Sequence, residues 1–190
     1  MPRSRSHRPG SFSKDVVARA RKVRLLLMDV DGVLTGGHVN LVPLADGTIV
    51  EMKSFHSQDG AGLKLARLAG LRTGVISGRN SPAVTRRAQE VGMEFVHQGC
   101  AEKLPAYEEI LRSAGVRDAE VAYIGDDLPD IPVLQRAGLA LATGNAVAEV
   151  RRAAHHVARR GGGDAGVREL IELILKAQGA WRHVVARAQA

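Results

Sequence analysis

A chain of 190 residues with 45% hydrophobic residues is sized for one globular domain with a core of its own. Its single cysteine, Cys100, excludes an internal disulfide framework and a cysteine-rich zinc site. No apolar run reaches the roughly 20 residues of a membrane span, and the net charge of +7 comes without aromatic interleaving or a nucleic-acid-binding signature. The expectation is therefore a cytoplasmic protein that binds neither nucleic acid nor membrane, whose basic surface attracts small anions.

Residues 1 to 12 are polar, basic and broken by Pro and Gly, and read as a disordered extension. One domain is expected over 13–179, followed by a basic tail over 180–190. A short helix from Lys14 to Arg21, capped by Ser13, precedes an apolar strand from Val23 to Val30. Two β-like runs, His38 to Val42 and Thr48 to Met52, flank Ala45-Asp46-Gly47, a strong hairpin signal. This hairpin, spanning about 38–55, follows the first strand directly and is expected to lie over or beside its end. Beyond it, helices alternate with strands. Helices are read at Gln58–Leu68, Ser81–Val91, Lys103–Ala114, Ile131–Arg136 and Val147–Ala154, with strands at Leu71–Ile76, Glu94–His97, Glu120–Ile124, Leu139–Ala142 and His155–Ala158. Gly161-Gly162-Gly163 reads as a flexible loop, Val167 to Gln178 as an amphipathic helix, and Trp181 to Ala190 as a frayed helix or a partner-facing tail. Alternation of this kind implies βαβ units, hence an α/β doubly wound parallel sheet with a small β-hairpin insertion and no cap domain.

The first strand ends in Asp29-Val30-Asp31-Gly32, two carboxylates one residue apart where ligands sit in such sheets. Close carboxylates repel unless a cation or a shared proton intervenes. Three other strand ends add polar groups on the same edge: Ser77-Gly78-Arg79, Gln98-Gly99 with Lys103 soon after, and Gly125-Asp126-Asp127-Leu128-Pro129-Asp130. That inventory suits phosphoryl transfer. One Asp attacks phosphorus, a second moves the proton, Mg²⁺ relieves the carboxylate repulsion, and lysine, serine and backbone amides hold the phosphoryl oxygens. His97 and the pair His155-His156 read as strand-end residues, because neither has a partner at ligand spacing.

The run Asp29-Val30-Asp31-Gly32-Val33-Leu34-Thr35 resembles the first motif of the haloacid dehalogenase superfamily. Ser77, Lys103 and Gly125 to Asp130 resemble its second, third and fourth motifs, in order. More narrowly, Phe55-His56-Ser57-Gln58-Asp59-Gly60, Ile76 to Arg79, Gln98-Gly99, Gly161-Gly162 and Val167-Arg168-Glu169 resemble the 3-deoxy-D-manno-octulosonate 8-phosphate phosphatases, over roughly residues 23 to 179. The resemblance implies Asp29 as nucleophile and Asp31 as general acid/base. It implies Mg²⁺ held by Asp29, Asp126 and the Asp31 backbone carbonyl, with Asp127 in support; Asp130 is read as orienting Asp126 or a metal-bound water rather than binding the metal. It also implies phosphate binding by Ser77, Gly78 and Lys103, and sugar-acid contacts from His56, Ser57, Gln58, Asp59, Gly60, Lys64, Arg79 and Arg87. Arg79 suits a substrate carboxylate. The family further implies a homotetramer in which a neighbour's hairpin and tail help close each site. The chain departs from the family pattern at Gly36-Gly37, where relatives carry Asp-Gly, and at Asp164, where relatives carry a non-acidic residue. The alternatives are the same chemistry on a nine-carbon keto-acid 9-phosphate or another small phosphometabolite, and a non-catalytic phosphoacceptor domain.

Overall fold

The computed structural model describes residues 12–188, so the expectation for the N-terminal extension lies outside the described residues except at Phe12. Eight helices and eight strands follow in chain order: α1 (Lys14–Ala20), β1 (Leu25–Met28), β2 (Asn40–Pro43), β3 (Ile49–Met52), α2 (Ser57–Leu68), β4 (Arg72–Ile76), α3 (Pro82–Val91), β5 (Phe95–His97), α4 (Lys103–Ala114), β6 (Val121–Gly125), α5 (Ile131–Arg136), β7 (Leu139–Ala142), α6 (Ala148–Ala153), β8 (His156–Val157), α7 (Gly166–Ala177) and α8 (Trp181–Ala188). Six strands form one sheet in the order β5-β4-β1-β6-β7-β8, every pair parallel; β2 and β3 form a separate antiparallel hairpin.

The apolar run of β1 is buried along its whole length because helices cover both faces of the sheet. Leu26 and Met28 face a cluster built with Leu63 of α2 and Leu170, Leu173 and Ile174 of α7. Leu25 and Leu27 face the other cluster, with Tyr107 and Ile110 of α4 and Val133 and Leu134 of α5. The period of two along the strand thus splits four consecutive apolar residues between two half-cores. Each fully buried leucine contributes about 1.5–3 kcal/mol.

β1 is central, paired with β4 on one side and β6 on the other, with Met28 opposite Val75 and Ile124. The residues that follow Met28, Ile76 and Ile124 therefore emerge side by side at the carboxyl edge. The strand is shorter than the Val23–Val30 run. Val30 leaves the ladder because its carbonyl accepts from the amides of Val33, Leu34 and Thr35, which closes a turn directly after Asp29.

Ser13 caps α1 as expected, its hydroxyl accepting from the Val16 amide. The last stretch is a helix, α8, with Val184 buried and the Arg168 and Lys176 cations 5.3 and 5.1 Å from the Trp181 ring centre. His155 accepts from the Ala140 amide through Nδ1, and His156 stands edge-on to Phe12, so both are structural, as expected. The hairpin exposes Val39, Leu41, Leu44, Ile49 and Met52. Among the described residues, no helix is long and apolar enough to cross a membrane.

Candidate active site

Strand ends of β1, β4 and β6 and the start of α4 surround a cavity of ≈ 550 Å³ lined by Asp29, Asp31, Gly37, Ser77, Gly78, Arg79, Cys100, Ala101, Lys103, Asp126, Asp127, Pro129 and Asp130. At its floor Lys103, 7% exposed, places Nζ 2.8 Å from Asp29 Oδ1 and 2.7 Å from Asp130 Oδ1. Burial works against the Lys103 charge, yet Asp29 and Asp130 outweigh it and lift its pKa above the ordinary lysine value. Asp130 is fully buried. Its Oδ1 also accepts from the Tyr123 hydroxyl at 2.7 Å, and its Oδ2 accepts from the Asp126 and Asp127 amides at 2.9 and 3.2 Å. Asp130 therefore fixes both the cation and the loop that carries Asp126, as the sequence suggested for Asp126.

Burial drives the Asp29 pKa upward, and Lys103 pulls against it. Asp126 is pushed up to about 8 by burial and by repulsion from Asp29 and Asp130. Asp29, Asp126 and Asp130 each bring a carboxylate oxygen within 4.8 Å of the others, and Asp126 Oδ1 is buried without a hydrogen-bond partner. An unpartnered carboxylate oxygen among like charges is the environment that a hard dication satisfies, so the residues present fit a Mg²⁺ ion. Gly32, at φ +94°, lies so close that a Cβ there would stand 1.9 Å from Asp126 Oδ2. No larger residue fits between the two acidic loops.

Asp31 faces the same cavity, but its carboxylate is engaged elsewhere. Its Oδ1 is ion-paired with Lys53 and accepts from the Thr35 hydroxyl at 3.4 Å, while Arg79 Nε lies 3.9 Å from its Oδ2. The Asp31 side chain is not part of the Asp29–Asp126–Asp130 cluster. Asp127 also lies outside that cluster: its Oδ1 accepts from the Leu128 amide and caps the short turn Leu128–Asp130. The Ser77 hydroxyl accepts from the Arg79 amide at 3.2 Å, and Ser77 and Gly78 line the cavity opposite Lys103.

Of the residues expected to contact sugar, only Arg79 lines this cavity. His56 caps α2, its Nδ1 accepting from the Gln58 amide. Asp59, 1% exposed, turns inward and accepts from the Arg168 amide at the start of α7 at 2.7 Å. Gly60 packs beneath Arg87, whose guanidinium donates to the His56 carbonyl and pairs with Glu90. Ser57 and Arg87 line a separate open hollow with Phe55, Ala83, Arg86 and Glu90. Gln58 accepts from Arg160, and Lys64 lines a cleft against α8. Within one chain these seven residues do not line the acidic cavity. Asp164 is exposed and does not line it either.

Sequence reasoning missed four contributors. Lys53 and Glu51 arrive from the hairpin and sit at the rim of the site, with Arg79 Nη2 on Glu51 Oε2. Tyr123 supports Asp130 from inside β6. Asn145 ties two loops together: its Nδ2 donates to the Gly32 carbonyl at 3.0 Å and its Oδ1 accepts from the Gly162 amide at 2.6 Å. Gly161–Gly163, read as flexible, is instead packed onto the acidic loop, where a Cβ on Gly162 would stand 1.9 Å from the Gly32 carbonyl oxygen.

Comparison with known proteins places this site in a family. The family model for haloacid dehalogenase-like hydrolases matches residues 76–171. The 3-deoxy-D-manno-octulosonate 8-phosphate phosphatase of Escherichia coli K12 is 36% identical over 170 residues, covering 90% of this chain and 88% of that protein. The crystal structure of the phosphatase of that name from Moraxella catarrhalis, in complex with magnesium ion, phosphate ion and a KDO molecule, superposes with a TM-score of 0.86 at 35% identity over 93% of this chain and 99% of that one. The Yersinia pestis enzyme of the same name gives 0.83 at 37% identity, covering 89% of each chain. The chain belongs to the haloacid dehalogenase-like hydrolases and, within them, to the family of 3-deoxy-D-manno-octulosonate 8-phosphate phosphatases.

Proposed function

We propose that this chain is a Mg²⁺-dependent phosphomonoesterase that hydrolyses a sugar-acid phosphate, 3-deoxy-D-manno-octulosonate 8-phosphate first among them, in the cytoplasm. The observation that carries the reading is the buried Asp29–Lys103–Asp130 ion-pair chain beside the unpartnered Asp126 oxygen. In this reading Asp29 attacks phosphorus, forming a P–O bond as the bond to the sugar oxygen breaks. Asp31 gives a proton to that departing oxygen. A water then attacks the aspartyl-phosphate; Asp31 takes its proton, the Asp29–phosphorus bond breaks, and inorganic phosphate is released. Lys103, Ser77 and the Gly78 amide hold the phosphoryl oxygens. Mg²⁺, bound by Asp29 and Asp126 with the Asp31 backbone carbonyl, neutralises charge on the carboxylates and the phosphate. Arg79, at the rim, meets the substrate carboxylate.

The assembly in this reading is a homotetramer whose hairpins pack together and whose sites are completed across subunits. The exposed Leu41, Ile49 and Met52 on the hairpin support it, as does the position of Ser57 and Arg87 on a second hollow of the same chain. Light scattering on the purified protein tests the assembly. The activity is tested by Mg²⁺-dependent phosphate release from a panel holding the eight-carbon sugar-acid phosphate, a nine-carbon keto-acid 9-phosphate and neutral hexose phosphates. Preference for the first supports the reading. Equal, weak turnover of all keeps the chemistry and removes the substrate assignment.

A further inference from the structure

We infer that Lys53 is a positioning residue for Asp31, delivered to the site by the hairpin. The inference rests on the phosphatase reading above and adds the part the hairpin plays in it. Glu51 and Lys53 are two apart, so an extended chain points them to one face. The Lys53 side chain is only 3% exposed; its Nζ donates to Asp31 Oδ1 and lies 3.1 Å from Glu51 Oε1, an ion pair without hydrogen-bond geometry. A lysine this buried is retained only with carboxylate partners.

The contacts on Asp31 are unequal. Oδ1 receives both Lys53 and Thr35, whereas Oδ2 accepts no hydrogen bond among the described residues and has Arg79 Nε 3.9 Å away. Lys53 therefore pins one oxygen and leaves Oδ2 as the one that carries the proton to the departing sugar oxygen and takes it back from water. Because Lys53 comes from the segment after β3, displacement of the hairpin unpins Asp31 without touching Asp29, Lys103 or Asp126.

The test compares Lys53→Met, Lys53→Arg and both in an Asp31→Asn background, using p-nitrophenyl phosphate with saturating Mg²⁺. Lys53→Met is expected to lower kcat at least tenfold while KM and inhibition by inorganic phosphate stay within twofold. Lys53→Arg is expected to restore most of the loss. In Asp31→Asn the further loss is expected to fall below twofold, because Lys53 acts through the missing carboxylate. Unchanged kcat in Lys53→Met, or the full loss repeated in Asp31→Asn, overturns the inference. A readout without turnover separates this from failure of the phosphatase reading. In crystals of Lys53→Met the Asp31 carboxylate is expected to leave its present rotamer, and in Lys53→Arg to keep it. An unmoved Asp31 in Lys53→Met overturns the positioning role whatever the activity.

Discussion

Asp130→Asn is the substitution whose consequences follow most fully from the contacts. The aspartate accepts four hydrogen bonds, Lys103 and Tyr123 on Oδ1 and the Asp126 and Asp127 amides on Oδ2. An asparagine keeps the shape but turns one of those oxygens into a donor. In either flip two donors then face an NH₂ group, and Lys103 keeps Asp29 as its only anionic partner. Hydrogen bonds to charged groups contribute about 1.5–3 kcal/mol each, and breaking a buried ion pair costs about 3–5 kcal/mol. Since the losses share one site and do not add, about 3–5 kcal/mol is expected in all. At about 2–4 °C per kcal/mol for a chain of this size, Tm falls by roughly 6–20 °C. Calorimetry with and without Mg²⁺ measures it, and kcat should fall with it as Lys103 and the Asp126 loop shift. A Tm within 2 °C of wild type refutes the view that Asp130 anchors the site.

Four further outcomes are expected. The Asp126 carboxyl, pushed up to about 8 without metal, must lose its proton to bind a cation. Mg²⁺ affinity measured by calorimetry should therefore weaken as pH falls below about 8; constant affinity from pH 6 to 8 contradicts that environment. The same raised pKa means the metal-free fold is favoured at low pH and loses that contribution as pH rises from about 4 through about 8. Added Mg²⁺ should flatten this dependence in thermal melts. Arg79→Ala should raise KM for the sugar-acid phosphate at least tenfold more than for p-nitrophenyl phosphate, and equal losses on both would move Arg79 from carboxylate recognition to phosphate binding. Gly162→Ala sets a methyl against the Gly32 carbonyl. It should cut kcat at least tenfold through displacement of the acidic loop, and wild-type kcat would show that the two loops tolerate separation.

The catalytic edge was legible because each of its groups sits directly after an apolar run of the right length. Asp29, Ser77 and Asp126 follow β1, β4 and β6, and parallel register alone brings them together. Lys103 opens α4 and turns inward onto Asp29 and Asp130. Lys53 was not legible. A lysine after a short strand with exposed neighbours reads as surface, and only its pairing with Asp31, in the turn after β1, shows it turned inward. Asn145 escaped because its contact reaches a loop 113 residues away, at Gly32. The opposite error occurred at Asp59. An acid in the first turn of a helix, inside a motif that resembles a substrate-contacting segment, looks available for ligand. Here it satisfies the Arg168 amide in a place water cannot reach.

In the proposed mechanism Asp29 carries the phosphoryl group. Rapid acid quench during turnover, reduction with borohydride and peptide mass spectrometry would locate it. Borohydride converts an aspartyl-phosphate to homoserine. Homoserine is expected at position 29 in the wild type and none in Asp29→Asn, which should also release no phosphate. Full turnover with aspartate intact at 29, or with the modification at another residue, would contradict it.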